Sequence, residues 1–321
     1  MRKMIALSLA LMFLLCISSA FADGIRIGII TLDPAESGYR EANVKDLKAT
    51  FTEEKGYDPE FVIAVTHEEQ VTVFERFVSE GVQYILLSAA DTSGWEDVLT
   101  RAKEKGIHVF LYDRQIDCDP ELYTAAVISD MRAEGETAVK WLERQGLERY
   151  DILHIQGQMG SAAQRGRSEP LQEECDADEK WTIVAEDSGG DKWDPDEAYR
   201  ITIEAIDAGK QFNIVYAENN GMASGAVRAL EEKGLSYGPG GDIIIMGFDC
   251  DKWALENLKA GKWNYVGQCS PFQGGLIDGM IRTLESGEEL LGLNERRQLI
   301  NYESFFEADT ITQEIIDLYG T

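Results

Sequence analysis

Apolar positions along this chain fall into two alternating rhythms. Short apolar runs at Ile25–Thr31, Glu60–Ala64, Tyr84–Ser88, His108–Asp113 and Tyr123–Ile128 read as strands. Between them, Ser37–Lys55, Glu68–Glu80, Trp95–Lys105 and Arg132–Arg144 have helical spacing, with Gly56, Gly81 and Gly106 as stops. The alternation then restarts. Asp151–Gln156, Thr182–Ala185, Phe212–Ala217, Ile243–Phe248 and Tyr265–Gln268 read as strands, with helices near 163–175, 195–208, 222–233 and 252–260. Strands that alternate with helices predict βαβ units and parallel sheets. There are too many strands for one comfortable sheet, so the expected fold is α/β with two Rossmann-like lobes. No low-complexity linker separates the halves, and Gly234–Gly241 reads as a surface loop.

The first residues change the picture of where the chain works. Met1-Arg-Lys is a basic start, Met4 to Cys16 is almost wholly apolar, and Ala20-Phe-Ala22 offers a small-residue cleavage pattern. Residues 1–22 therefore read as a secretory signal peptide. The apolar run is short for a span of about 20 residues, and Leu14-Leu15 before Cys16 fits a lipoprotein anchor poorly. The expected location is the periplasm or the outer face of the cell membrane. The net charge of −28 excludes a nucleic-acid role, which needs a basic footprint, and disfavours anionic lipid.

Of the remaining cysteines, Cys250 and Cys269 each follow a predicted strand end, which makes a bridge between them feasible; Cys118–Cys175 is the other pairing of interest. None has the Cys-x-x-Cys spacing of a redox or zinc site. His67, His108 and His154 are scattered and read as packed or surface residues. Glu173–Glu179 and Asp191–Glu197 resemble calcium loops only faintly, without the central Gly and closing Glu, and read better as acidic turns or helix caps. No metal or cofactor is expected.

Candidate chemistry sits at strand ends. His108–Asp113 is a buried-strand pattern that stops at Asp113-Arg114, and open α/β sheets bind ligands beyond the carboxyl ends of their strands. A carboxylate and a planar guanidinium suit hydroxyl edges, while aromatic rings suit the C–H faces of a sugar. Each residue also has a plainer reading. Asp113-Arg114 alone could be a structural ion pair, Tyr39 and Trp193 packing residues, Arg167 a solvated helix residue, and Asp249 a helix N-cap.

Several motifs occur together and in order: Glu36-Ser-Gly-Tyr-Arg40, Ser93-Gly-Trp95, Asp113-Arg114, Gln156-Gly157…Arg167, Tyr216-Ala-Glu-Asn219-Asn-Gly-Met-Ala-Ser-Gly-Ala226, Gly247-Phe-Asp249 and Gln268. Over roughly residues 24–285 the chain thus resembles periplasmic sugar-binding proteins of the ribose-binding type (type I fold), and within them the galactofuranose-binding subgroup. The resemblance implies two lobes joined by three crossovers near Ser129, Gln268 and Leu299. The lobes would comprise 23–128 with 269–299 and 129–268 with 300–321. It implies a ligand set of Glu36, Tyr39, Arg40, Asp113, Arg114, Arg167, Trp193, Asn219 and Asp249, with Gln268 at the hinge. The implied role is capture of a monosaccharide for an ABC importer in the membrane, by a monomer without catalysis. Asn220 and Tyr39 depart from the family's usual Asp and stacking Trp.

Two other roles stand beside this one. A secreted glycoside hydrolase would use carboxylates such as Glu36 and Asp113, although Arg114 next to Asp113 would keep that acid ionised. A sensor would present bound sugar to a membrane receptor. A sugar-responsive repressor is excluded, because the signal peptide occupies the place of a DNA-binding segment.

Overall fold

The computed structural model describes residues 24–190, 193–301 and 303–321, so the signal-peptide reading of 1–22 lies outside the described residues. The first sheet has six strands: β1 (Ile25–Thr31), β2 (Tyr57–Ile63), β3 (Tyr84–Leu87), β4 (His108–Asp113), β5 (Ala125–Ser129) and β11 (Gln298–Asn301). Their order is β11-β5-β4-β3-β1-β2, and every pairing is parallel. The second sheet has β6 (Tyr150–Gln156), β7 (Trp181–Ser188), β8 (Ile214–Ala217), β9 (Ile244–Phe248), β10 (Tyr265–Gly267) and β12 (Phe305–Glu307). Its order is β12-β10-β9-β8-β6-β7; only the β10–β12 pairing is antiparallel.

Side-chain alternation along the strands builds a core on each face of each sheet. In the first sheet, Ile85, Leu87, Val109, Leu111, Ala126 and Ile128 pack on one side against α2 (His67–Glu80) and α3 (Glu96–Glu104), through Phe74, Phe77 and Leu99. Their neighbours Tyr84, Leu86, Phe110, Tyr112, Ala125 and Val127 face the other side. There α1 (Gly38–Thr50) and α9 (Gly274–Glu285) supply Leu47, Ile277 and Ile281. The second sheet repeats the plan. Its two faces take α4 (Met131–Glu143) and α5 (Ala162–Ala177) on one side. On the other lie α6 (Pro195–Asp207), α7 (Asn220–Lys233) and α8 (Lys252–Lys259). The last helix, α10 (Gln313–Tyr319), closes the second lobe through Ile316.

The chain passes between the sheets three times: after Ser129, after Gly267 and after Asn301. The third passage falls two residues beyond the expected Leu299, which sits inside β11. Four elements past Gln268 carry too little pattern to be read from sequence. β11 and β12 are four and three residues long, and α9 opens on Gly274-Gly275 and contains Gly279, which dilutes its helical signal. The helix read over Ser37–Lys55 ends at Thr50 and gives way to a short 3-10 turn at Glu53–Lys55.

All four described cysteines are free, so neither feasible bridge is formed. Adjacent strands do bring the Cys250 and Cys269 segments together, but the thiols pack into different clusters. Cys250 joins Met222 and Ala254 in the core of the second lobe. Cys269 packs with Tyr39 and Met131 between the lobes.

Candidate functional site

Both switch points, β1/β3 and β6/β8, open on the same cleft, because the two sheets face one another across it by their carboxyl ends. The first lobe contributes a charged cluster. Ser37 caps α1 by accepting from the Arg40 amide (3.2 Å), which fixes Tyr39 and Arg40 in the first helical turn beyond β1. Arg40 Nη2 lies 2.6 Å from Asp113 Oδ2 at the end of β4, and Ser88 Oγ donates to the same oxygen at 2.9 Å from the end of β3. Arg114 Nη2 meets Glu36 Oε1 at 2.6 Å, and Glu36 Oε2 is 3.5 Å from Arg40 Nε. Burial opposes ionisation of Asp113, but Arg40 and Arg114 outweigh it and hold the carboxyl below its ordinary range.

The second lobe answers with a buried guanidinium. Arg167, only 2 % exposed, bonds Glu134 Oε2 and Asp249 Oδ1, both at 2.8 Å, donates to the Glu218 carbonyl, and lies over the Phe248 ring. It is not a solvated helix residue. Asp249 is raised by burial, with Arg167 opposing that rise. Nor is Asp249 the N-cap of α8, a place held by Asp251. Asn219 does cap α7: its side-chain oxygen accepts from the Met222 amide at 2.7 Å, leaving its amide nitrogen as a donor.

Under Arg167 lies a second polar layer. His154, 1 % exposed, sits 2.7 Å from Glu186 Oε1 and 3.1 Å from Glu218 Oε1. Burial alone would depress its pKa; the two carboxylates outweigh that and push it up to about 9. Glu218 also accepts from the Gly157 amide at 2.7 Å, which ties the loop after β6 to the loop after β8.

Three lining residues other than glycine have left-handed backbone: Asp113 at φ 64°, Trp193 at 53° and Asp249 at 95°. Such conformations disfavour branched and bulky side chains and cluster at ligand sites. Here they turn two carboxylates and an indole into one cleft. Gly157 makes room for the indole, since a Cβ there would overlap Trp193. Across the cleft, a Cβ on Gly38 would collide with the Asp251 carboxylate, so the two lobes meet closely at α1 and α8.

The resulting cavity, about 490 Å³ including the solvent at its mouth, is lined by nine of the ten expected residues: Glu36, Tyr39, Arg40, Asp113, Arg114, Arg167, Trp193, Asn219 and Asp249. Gln268 is the exception. Its side-chain oxygen accepts from the Ser304 amide at 3.1 Å, so it braces the second passage against the third instead of lining the cavity. Sequence reasoning did not single out Ser37, Met131, Ser161 and Cys269 as lining residues, or Ser88, Glu134 and Glu218 as their supports. Ser88 ends an apolar run and was within reach of the strand-end rule. Met131 carries no such mark.

Elsewhere the acidic stretches are structural. Residues 173–177 are the end of α5, and Asp194 caps α6 by accepting from the Asp196 amide; Asp191 lies outside the described residues. Trp95, with no exposed surface, packs under the first-lobe loops and donates to the Asp91 carbonyl. No described helix is long and apolar enough to cross a membrane.

Comparison with known proteins places this architecture. The galactofuranose-binding protein YtfQ of Escherichia coli is 30% identical over 262 residues, 80% of this chain and 81% of its own. The fructose import binding protein FruE of Bifidobacterium longum is 27% identical over 256 residues, 77% and 75% of the two chains. Among solved structures, the binding protein of the arabinose ABC transporter of Shewanella sp. ANA-3, bound to α- and β-L-arabinofuranose, superposes with a TM-score of 0.81. It is 26% identical, and the match covers 92% of this chain and 95% of that one. The profile of the periplasmic binding protein domain matches residues 27–288. With most of both lobes inside that match, the chain belongs to the periplasmic binding protein domain family.

Proposed function

We propose that the protein is exported, captures one neutral monosaccharide between its lobes and delivers it to an ABC importer. The observation that carries this reading is the charge balance of the cavity. Its lining holds three guanidinium groups, Arg40, Arg114 and Arg167, and three carboxylates, Glu36, Asp113 and Asp249. Each guanidinium is already paired with a carboxylate. Among the described lining residues, no uncompensated cation awaits a sugar acid or a phosphate. What remains is a ring of oriented donors and acceptors of both kinds, with Tyr39 and Trp193 for apolar faces, which is the chemistry of an uncharged polyol.

A furanose or pentose-like sugar is the favoured class. The names of the relatives support it: galactofuranose and fructose for the curated proteins, arabinofuranose for the Shewanella structure. Contacts from both lobes mean that the sugar favours the closed state by its differential affinity, which is how binding drives a hinge. The membrane permease and a monomeric state complete the proposal.

The charge pattern speaks against hydrolysis. A glycosidase needs a carboxyl kept protonated near neutral pH as its acid; Arg40 and Arg114 hold Asp113 below its ordinary range, and Asp249, though raised by burial, is tied to Arg167 at 2.8 Å. A thermal-shift panel of neutral aldoses and ketoses, with uronic acids and sugar phosphates as controls, tests the reading. A shift with a neutral sugar alone is expected. A shift only with the charged controls would reject it.

A further inference from the structure

All three inter-lobe passages meet in one largely buried cluster that adjoins the cavity through Cys269. Ser129 ends the first passage's strand, Cys269 and Ser270 belong to the second, and Glu303 to the third. Beside them stands Glu134 of α4. One ligand atom each from Glu134, Cys269 and Glu303 lies within 4.8 Å of the others.

The two carboxylates are held in the same manner. Glu134 is 6 % exposed, and its Oε2 is engaged by Arg167 Nε at 2.8 Å while its Oε1 is buried with no partner. Glu303 Oε1 accepts from Ser129 Oγ at 2.8 Å and from the Ser270 amide, while its Oε2 is buried with no partner. Each carboxylate is thus oriented through one oxygen and offers the other. Supporting hydrogen bonds orient metal ligands in this way. The thiol of Cys269, 2 % exposed, stands beside them, with Ser129 Oγ at 3.7 Å. The charges facing the cluster are Arg167, already shared by Glu134 and Asp249, and Asp249 itself. Among the described residues, no cation pairs with Glu303.

We propose that Glu134, Cys269 and Glu303 form a binding site for a divalent cation that accepts thiolate and carboxylate together, zinc being the type case. One sulfur and two oxygens suit a tetrahedral d¹⁰ ion with a water or the Ser129 hydroxyl in the fourth place. Tetrahedral zinc spaces such ligands about 3.5 Å apart, so the side chains draw together on binding and the thiol gives up its proton. The ion would join α4 to the second and third passages. Through Glu134 it would also brace Arg167, the guanidinium of the second lobe. This cation site is independent of which sugar occupies the cleft.

Cadmium, whose thiolate complexes absorb in the near ultraviolet, is the probe for the mature chain 23–321 after chelator treatment. The expected result is one saturable equivalent with a charge-transfer band, lost in Cys269→Ser, and an affinity at least tenfold weaker in Glu303→Gln. Zinc should compete for the same site and raise the melting temperature of the wild type but not of Glu303→Gln. If Cys269→Ser does not fold, the Glu303→Gln titration and an anomalous difference map on zinc-soaked crystals decide. Absence of a band overturns the assignment, and so does a band unchanged in Cys269→Ser or an affinity unchanged in Glu303→Gln. A cluster that binds only protons gives no band.

Discussion

Arg40 Nη2 lies 2.6 Å from Asp113 Oδ2, joining the first turn of α1 to the end of β4, with both side chains at most 5% exposed. Arg114, a neighbour in sequence to Asp113, is less buried: it meets Glu36 at 2.6 Å and stands 3.8 Å from Asp113. Two adjacent arginine pairs therefore serve different ends. Removing one partner of a buried pair strands the other charge, which costs about 3–5 kcal/mol. Arg40→Met should lower the unfolding free energy of the ligand-free protein, read from urea titration, by that order. Arg114→Ala should cost less stability than Arg40→Met, because Glu36 keeps Arg40 Nε at 3.5 Å, while weakening sugar binding at least tenfold. Equal losses of stability in the two variants would contradict this division.

Gly38 separates folding from closure. It sits in a helix facing Asp251 across the cleft, and Asp251 is itself held by Asn220 Nδ2 at 3.0 Å. Gly38→Ala adds a methyl group only where the lobes meet, so the ligand-free melting temperature should stay or rise slightly. Affinity should fall about tenfold or more, and small-angle scattering should show an incompletely closed complex. Wild-type affinity in this variant would mean that the sugar is held without this contact.

His154 gives the fold a pH dependence with a definite sign. Its pKa is pushed up to about 9 in the folded chain, above an unfolded value near 6.5. Its contribution, on the order of 3 kcal/mol, is fully present below the unfolded pKa and is lost as pH rises through the folded one. Urea midpoints should fall between pH 7 and 9.5, and His154→Gln should flatten that fall. A midpoint that rises over this window would contradict the charged imidazole.

Trp193 should report on occupancy. It lines the cleft at 8 % exposure with a left-handed backbone. Saturating sugar should change tryptophan emission, and Trp193→Phe should remove most of that change while retaining measurable binding. An undiminished change in Trp193→Phe would place the responding indole elsewhere.

Much of this architecture is written locally in the chain. Uninterrupted apolar strands such as Tyr84–Leu87 and glycine stops such as Gly81 carry their own signal. So do charged residues just past strand ends, which is how Asp113 and Arg114 stand out. What sequence hides is set by distant partners. Arg167 reads as a surface helix residue until Glu134 and Asp249 are brought to it. Cys269 invites a disulfide until packing turns its thiol toward Ser129 and Met131. Gln268 lies near the site in sequence order, yet its side chain bonds the third passage. The short strands β11 and β12 exist only because a sheet edge awaits them.

The most direct test of the account is isothermal calorimetry of residues 23–321 against galactose, ribose, arabinose, fructose and a galactofuranoside. The titrants should be checked afterwards for conversion. Saturable binding of one neutral sugar, abolished in Arg114→Ala and leaving the titrant unchanged, is the result predicted here. Silence across the panel, or conversion of the titrant, would contradict capture of a monosaccharide between the lobes.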